Sequence, residues 1–377
     1  MKNNHNNTRQ AKGKGTLSPI LYPLLLFTFY FLLFLPSCSS PSGKVLPDNP
    51  QLLWEYRGAV RTKSSPVVSG ETTYWCDRKG KISGVNARGE LVFSHDLQTA
   101  VESSVLVEDS VLYLGRIDGF ITAISIATGE IIWNVETMGQ VVASPNLLTI
   151  EGQKRIVIGS YDNELYILDA TTGAKISSVP TGNYINGTAA LWQHYAIFGG
   201  CDHWLRMVDC RTGIQADSLL LGSYIPSSPT IVENQCFIGD NSGNIYQIEI
   251  HDGRFQQHQQ LTAVDNAQGS FESVPAVSEE AYYYYSGEKH LVAHSRTDHR
   301  QLWQHLLKGF TDESSPLVCA HKLIACTKTG IISILDAHTG DLLWEYDCGE
   351  QIIGTPAVIS GRFFILTAKG TLLCFGE

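Results

Sequence analysis

Charged residues make up only 17% of this 377-residue chain, and the balance is acidic, with 27 Lys and Arg against 37 Asp and Glu. A formal net charge of −10 leaves no broad basic surface, so nucleic acid is not an expected partner. Long stretches rich in Ala, Glu and Lys are missing, which argues against a helical architecture. No two of the nine cysteines are adjacent, and no C-x-x-C-H run offers a haem attachment point. No G-x-S-x-G run marks a nucleophile elbow. The 12 histidines show no spacing that would assemble a Ser-His-Asp set. Cys201, His203 and Cys210 form the densest group of metal-type ligands, and their spacing fits no standard zinc pattern. These absences leave no enzyme class to argue from chemistry, and no metal or cofactor is expected.

What is abundant is Gly, Ser, Thr, Val, Ile and aromatic residues, a composition of strands and tight turns. The first 37 residues stand apart. Lys2, Arg9, Lys12 and Lys14 form a basic start with no acid, and Ile20 to Leu35 is a nearly pure apolar run. This is the pattern of a secretory signal, somewhat short for a membrane span. The LPSC that follows resembles a bacterial lipobox ending at Cys38, whose lipidation is expected. Ser39 after the cysteine implies, by the same resemblance, sorting to the outer membrane. Removing residues 1–37 leaves 23 Lys and Arg against 37 acids, about −14. Residues 38–50, with SSPSGKVLPDNP, read as a flexible linker.

The rest of the chain repeats with a period of about forty residues. A run of two small residues, often Pro, and then apolar residues occurs eight times. It is SSPVV (64–68), SSVLV (103–107), ASPNL (143–147), GTAAL (187–191), SSPTI (227–231), SVPAV (273–277), SSPLV (314–318) and GTPAV (354–358). A second element, strand–turn–strand, keeps the same beat in GFITAISIATGEIIW (119–133), NELYILDATTGAKIS (163–177) and GIISILDAHTGDLLW (330–344). Asp169, Asp209 and Asp336 stand at the turn entrance, where a carboxylate can accept a backbone N–H two residues on. Four strands per forty residues predict an all-β, eight-bladed β-propeller of four-stranded antiparallel blades over 51–377. The eighth repeat stops after three strands, while QLLWEY (51–56) is a fourth strand without a first three. The N-terminal strand is therefore expected to complete the last blade beside 371–375, hiding two open edges.

The pattern small-Ser-Pro-Val, then D-G-x-I-x-A-x-D-x-x-T-G-x-x-x-W, resembles the PQQ-like, quinoprotein-type propeller repeat. The resemblance implies that the fourth-strand aromatics dock neighbouring blades. Here these are Trp54, Phe93, Trp133, Trp303 and Trp344, with Ser177, Asp217 and Gln257 in their place in repeats three to five. Cys76 and Cys326 align with Gly115, Gly159, Gly199 and Gly239, a position for a small side chain. Cys210 and Cys236, on successive repeats, are the pair to consider for a disulfide. Quinone-dependent dehydrogenases of this repeat class carry a vicinal cysteine pair and a Glu, Asn and Asp set around calcium; the cysteine pair has no counterpart here.

A lipoprotein-type leader followed by such a propeller resembles the BamB outer-membrane assembly factor family. That implies a non-enzymatic, monomeric scaffold, anchored through Cys38 to the outer membrane and facing the periplasm. Its expected partners are envelope proteins, among them the β-barrel assembly machinery. The alternatives are a quinone-dependent dehydrogenase-like protein and a propeller lipoprotein that binds another envelope ligand. Residues just before each inner strand should ring one mouth of the channel as a partner surface. They are Arg61, Lys63, Glu102, Gln140, Tyr184, Asn186, Tyr224, Glu272, Asp312, Glu313 and Gln351.

Overall fold

A computed structural model describes residues 46–377 apart from 59, 263–272, 287–288 and 312–313. The expected signal peptide, Cys38 and the mouth residues Glu272, Asp312 and Glu313 lie outside the described residues. Among the described residues thirty-two strands form eight four-stranded antiparallel sheets. Blade one is β2 (Val67–Ser69), β3 (Thr72–Cys76), β4 (Lys81–Val85) and β5 (Leu91–Asp96), and six further blades follow in the same order. Blade eight is made of β30 (Ala357–Ile359), β31 (Arg362–Leu366), β32 (Thr371–Gly376) and, from the other end of the chain, β1 (Gln51–Arg57). β1 runs antiparallel to β32 with Gln51 opposite Gly376 and Arg57 opposite Thr371.

The apolar residues do not form one core. Buried side chains fall into eight clusters, one for each seam between successive blades. The axis is organised differently, by the small-Ser-Pro runs. Ser65 N–H donates to Ser104 Oγ at 2.9 Å, and Ser104 N–H to Ser144 Oγ at 2.9 Å. The same bond joins Thr188 to Ser228, Val274 to Ser315 and, across the closure, Thr355 to Ser65. A hydroxyl at the second position of the run thus satisfies a backbone donor on the preceding blade, which explains the residue type.

Every outer strand carries a register shift where it meets the third strand. In blade two, Ala123 faces Trp133 and Ile124 faces Ile131, so Ile132 is the extra residue of a bulge. Both LLWEY segments share this geometry: Leu53 and Leu343 are the extra residues. The bulge twists the outer edge and suits it poorly to pairing with another chain.

The turn aspartates act as the spacing implies. Asp169 Oδ1 accepts from the N–H groups of Thr171 and Thr172 and from the Thr172 hydroxyl. These bonds, the hydroxyl first, hold its carboxyl below the usual carboxylate range. In Asp336, burial works the other way, but N–H groups of Thr339 and His338 prevail and the net shift is again downward. A carboxyl whose pKa is lower folded than unfolded stabilises the fold fully above its unfolded value of about 4. That stability is lost as pH falls through the lower folded value. This contribution to the melting temperature should therefore be constant above about pH 5 and fall away below about 4, on top of an earlier loss below about pH 6.5 from His194 and His294, whose imidazoles burial holds below their usual value. An Asp169→Asn, Asp336→Asn double variant should show a shallower acid limb in the same melts.

The pairing left open is answered, and the extent of the linker is corrected. The eight described cysteines are free thiols, so Cys210 and Cys236 are not bridged. Burial pushes the Cys210 thiol up to about 12, and the Cys76, Cys236 and Cys326 thiols rise for the same reason. The linker is also shorter than 38–50 as far as the described residues reach. Leu46 is 2% exposed and packs with Leu317, Ile324, Phe363 and Phe375. The Lys322 side chain, almost wholly buried, donates to Leu46 O and to Asp48 Oδ1.

That strap has a structural counterpart in other blades. Arg155 and Arg362 hold the same register position in blades three and eight, and each donates to a turn carbonyl of the next blade, Cys210 O and Ala87 O. Blade eight has no such turn, because its outer strand arrives from elsewhere. Leu46 O stands in for it, and Lys322 takes the role of the two arginines.

Candidate docking face at the channel mouth

The meander places the turns between second and third strands on the same end of the ring as the connections between blades. At that end one backbone station recurs. Arg61 O accepts from Arg78 N–H at 2.9 Å, Gln140 O from Tyr161 at 2.8 Å, and Tyr184 O from Cys201 at 2.9 Å. Tyr224 O accepts from Asn241 at 2.9 Å and Gln351 O from Ala368 at 2.6 Å. Five residues proposed from sequence therefore hold equivalent places at one mouth. Lys63 and Glu102 meet there as well, with Lys63 Nζ 3.8 Å from Glu102 Oε2, and Arg78 pairs with the other carboxylate oxygen. Asn186 Nδ2 reaches Cys201 Sγ at 3.4 Å.

Sequence reasoning missed several members. Tyr161, on a second-to-third-strand turn, stacks on Tyr184 with ring centroids 4.7 Å apart and planes 12° off parallel. Phe310 O accepts from Lys328 N–H, so Phe310 is the blade-seven station. One extra residue before Ser314 moves it four places upstream instead of three, and that offset was countable in the sequence. Lys289 Nζ sits 4.3 Å from the Phe310 ring centroid. Met138 is 91% exposed, Tyr184 47%, Phe310 44% and Tyr224 37%. Large apolar side chains on one open face of a rigid ring are an interaction surface in the making.

Beside the mouth, at the seam of blades seven and eight, lies a cleft of about 410 Å³ lined by Arg57, Arg61, Tyr346, Glu350, Lys369 and neighbours. Burial opposes ionisation of Glu350, but Thr367, Thr371 and Lys369 outweigh it and hold the carboxyl below its ordinary value. The cleft is polar and of mixed sign, suited to side chains of a docked polypeptide.

The docking aromatics sit on the opposite end, over the third-to-outer-strand turns. Trp54, Trp133 and Trp303 each donate the indole N–H at 3.0 Å to a turn carbonyl of the next blade, on Ala87, Ala170 and Ala337. A Cβ at Gly173 or Gly340 would come within 2.7 Å of Trp133 or 2.6 Å of Trp303, and both glycines have positive φ. Phe93 joins the cluster of blades one and two. Trp344 differs: it packs edge-on against Phe363 and Phe375, since blade eight has no turn for it to cap. Ser177 lies against Gly213, and Asp217 Oδ2 accepts from Phe255 N–H.

The sequence pattern described as "Outer membrane protein assembly factor BamB" matches residues 43–200 and 287–376. The chain belongs to the BamB family. No curated protein matches it significantly. Among solved structures it is similar to BamB from Moraxella catarrhalis, with 19% identity, a TM-score of 0.72, and 87% of this chain and 98% of that one covered. It is also similar to the quinohemoprotein alcohol dehydrogenase ADHIIG of Pseudomonas putida HK5, with 14% identity, TM-score 0.69, and coverage of 87% and 76%. A europium-containing methanol dehydrogenase gives 12% identity, TM-score 0.70, and coverage of 87% and 93%. At these identities the likeness concerns the fold.

Among the described residues no three His, Cys, Asp or Glu side chains converge as a metal would need. Cys201 and Cys210 flank the six-residue strand Trp204–Asp209 at opposite ends, which separates the ligand group noted in the sequence.

Proposed function

We propose that this chain is a non-enzymatic docking propeller of the cell envelope that serves the assembly of outer-membrane β-barrel proteins. In this reading Cys38 carries the lipid anchor and the propeller works from the periplasmic side of the outer membrane. Membership of the BamB family supports it. The observation that carries it is the aromatic mouth: Tyr161 and Tyr184 stacked, with Tyr224, Phe310 and Met138 exposed around them. Flat, half-exposed tyrosines supply contact area at little entropic cost. The mouth receives a loop or an extended segment of an assembly subunit, held by side-chain contacts.

A photoreactive residue at Tyr184 in the intact envelope should crosslink to a subunit of the barrel-assembly machinery. Tyr184→Ala with Tyr224→Ala should weaken that binding at least tenfold, about 1.4 kcal/mol or more, and leave the melting temperature within a degree or two. Recovery of no assembly subunit would count against the reading. Saturable binding of the quinone with calcium, accompanied by alcohol oxidation, would replace it with the dehydrogenase reading.

A further inference from the structure

The seam between blades five and six departs from the template that the other seams share. Where blade three has Ala170 and blade seven has Ala337 after the turn aspartate, blade six has Arg296. Where those turns have Gly173 and Gly340, blade six has His299, at φ 59. A non-glycine residue in that conformation is strained, and the neighbouring repeats avoid it. The outer-strand tryptophan position is Gln257.

The polar substitutions reach inside. Gln247, on the third strand of blade five (Asn244–His251), occupies a place that is Ile167 in blade three and Ile334 in blade seven. It is 7% exposed, and its Nε2 donates to Arg296 O at 3.4 Å, much as Trp133 and Trp303 donate to Ala170 and Ala337. Its Oε1 has no partner. The Tyr282 hydroxyl, His294 Nδ1 and His299 Nδ1, all on blade six, also lack partners. Unsatisfied buried polar atoms are costly, and two of these four, Gln247 Oε1 and His299 Nδ1, belong to residues that line one opening. Beside them opens a cavity of about 420 Å³, lined by Gln247, Glu249, His258, Gln259 and His299. That volume is in the range of small-molecule sites. The BamB sequence pattern skips residues 201–286, so Gln247, Glu249, His258, Gln259 and Tyr282 lie in the stretch the family does not account for.

We propose that this seam is a binding site for a small, uncharged, hydroxyl-rich ligand of the size of one or two sugar units. Gln247 Oε1 and the Glu249 carboxylate only accept hydrogen bonds, while the Gln259 amide and the imidazoles of His258 and His299 can give or take. Hydroxyl groups, which also do both, match that set. An anion meets Glu249 and finds no available cation, because Arg296 is engaged by Gln235 and Glu233. A metal ion is disfavoured by the donor geometry given above. The site is on the rim of the ring, goes beyond the docking reading, and does not depend on it.

The test is titration of the full-length chain with the N-acetylglucosamine disaccharide, trehalose and maltose, followed by calorimetry and saturation-transfer NMR. At least one should bind saturably. Gln247→Ile and His299→Gly should each weaken that binding tenfold or more while the melting temperature stays level or rises. Both substitutions restore what other repeats carry, so a merely structural role would predict no loss of binding. If none of the three sugars binds saturably, or if binding survives both substitutions, the site is overturned.

Discussion

A chain that begins at Val60 should lose its cooperative melt and aggregate, because the ring can no longer close. The truncation removes all of β1, which supplies the outer strand of blade eight and pairs with β32 from Gln51 to Arg57. It also removes Leu46, whose buried side chain alone is worth about 2–5 kcal/mol. Lys322, at 1% exposure, would lose both acceptors of its ammonium group, Leu46 O and Asp48 Oδ1. A chain beginning at Gln51 should fall between the two, folded but clearly destabilised, since it keeps the strand and loses the strap. Thermal melts with light scattering separate the behaviour of the full chain and the two truncated ones. Unchanged melting of the Val60 chain would refute closure by the N-terminus.

Trp303→Ala should destabilise the fold by about 3–5 kcal/mol, and Trp133→Ala by a similar amount. Each indole is buried, fills the space that Gly340 or Gly173 leaves, and satisfies one turn carbonyl. Trp344→Ala should cost clearly less, about half as much. Its ring is partly exposed and caps no turn. Denaturant unfolding of the three variants gives the comparison, and equal losses at Trp344 and Trp303 would contradict it.

The fold was legible because the inner-strand run came eight times and the turn signals kept its beat in most repeats. A β-rich run, a turn aspartate and a positive-φ glycine recurring on one beat leave few architectures open. The missing fourth strand of the last repeat and the orphan QLLWEY together implied the closure. The mouth was partly legible: Arg61, Gln140, Tyr184, Tyr224 and Gln351 fall at one station by counting alone. Phe310 escaped because of a single inserted residue, and Tyr161 because second-to-third-strand turns vary in sequence. The strap was hidden more deeply. Leu46 to Pro50 has the Pro, Asp and Asn of a linker, and its partner Lys322 lies 276 residues away. Only the three-dimensional register of Arg155, Arg362 and Lys322 reveals a shared task.

Blade eight also sets the order in which this protein can fold. Its strands come from the first and last segments of the propeller to be synthesised, some 300 residues apart, and the cost of joining such distant ends is met only at the final step. Blades one to seven can stack as they appear, each on its predecessor, but the row stays open with a bare edge at each end. Ring closure therefore waits for Gly376, and until then the chain remains a linear array that can be threaded, unstacked or held by another protein.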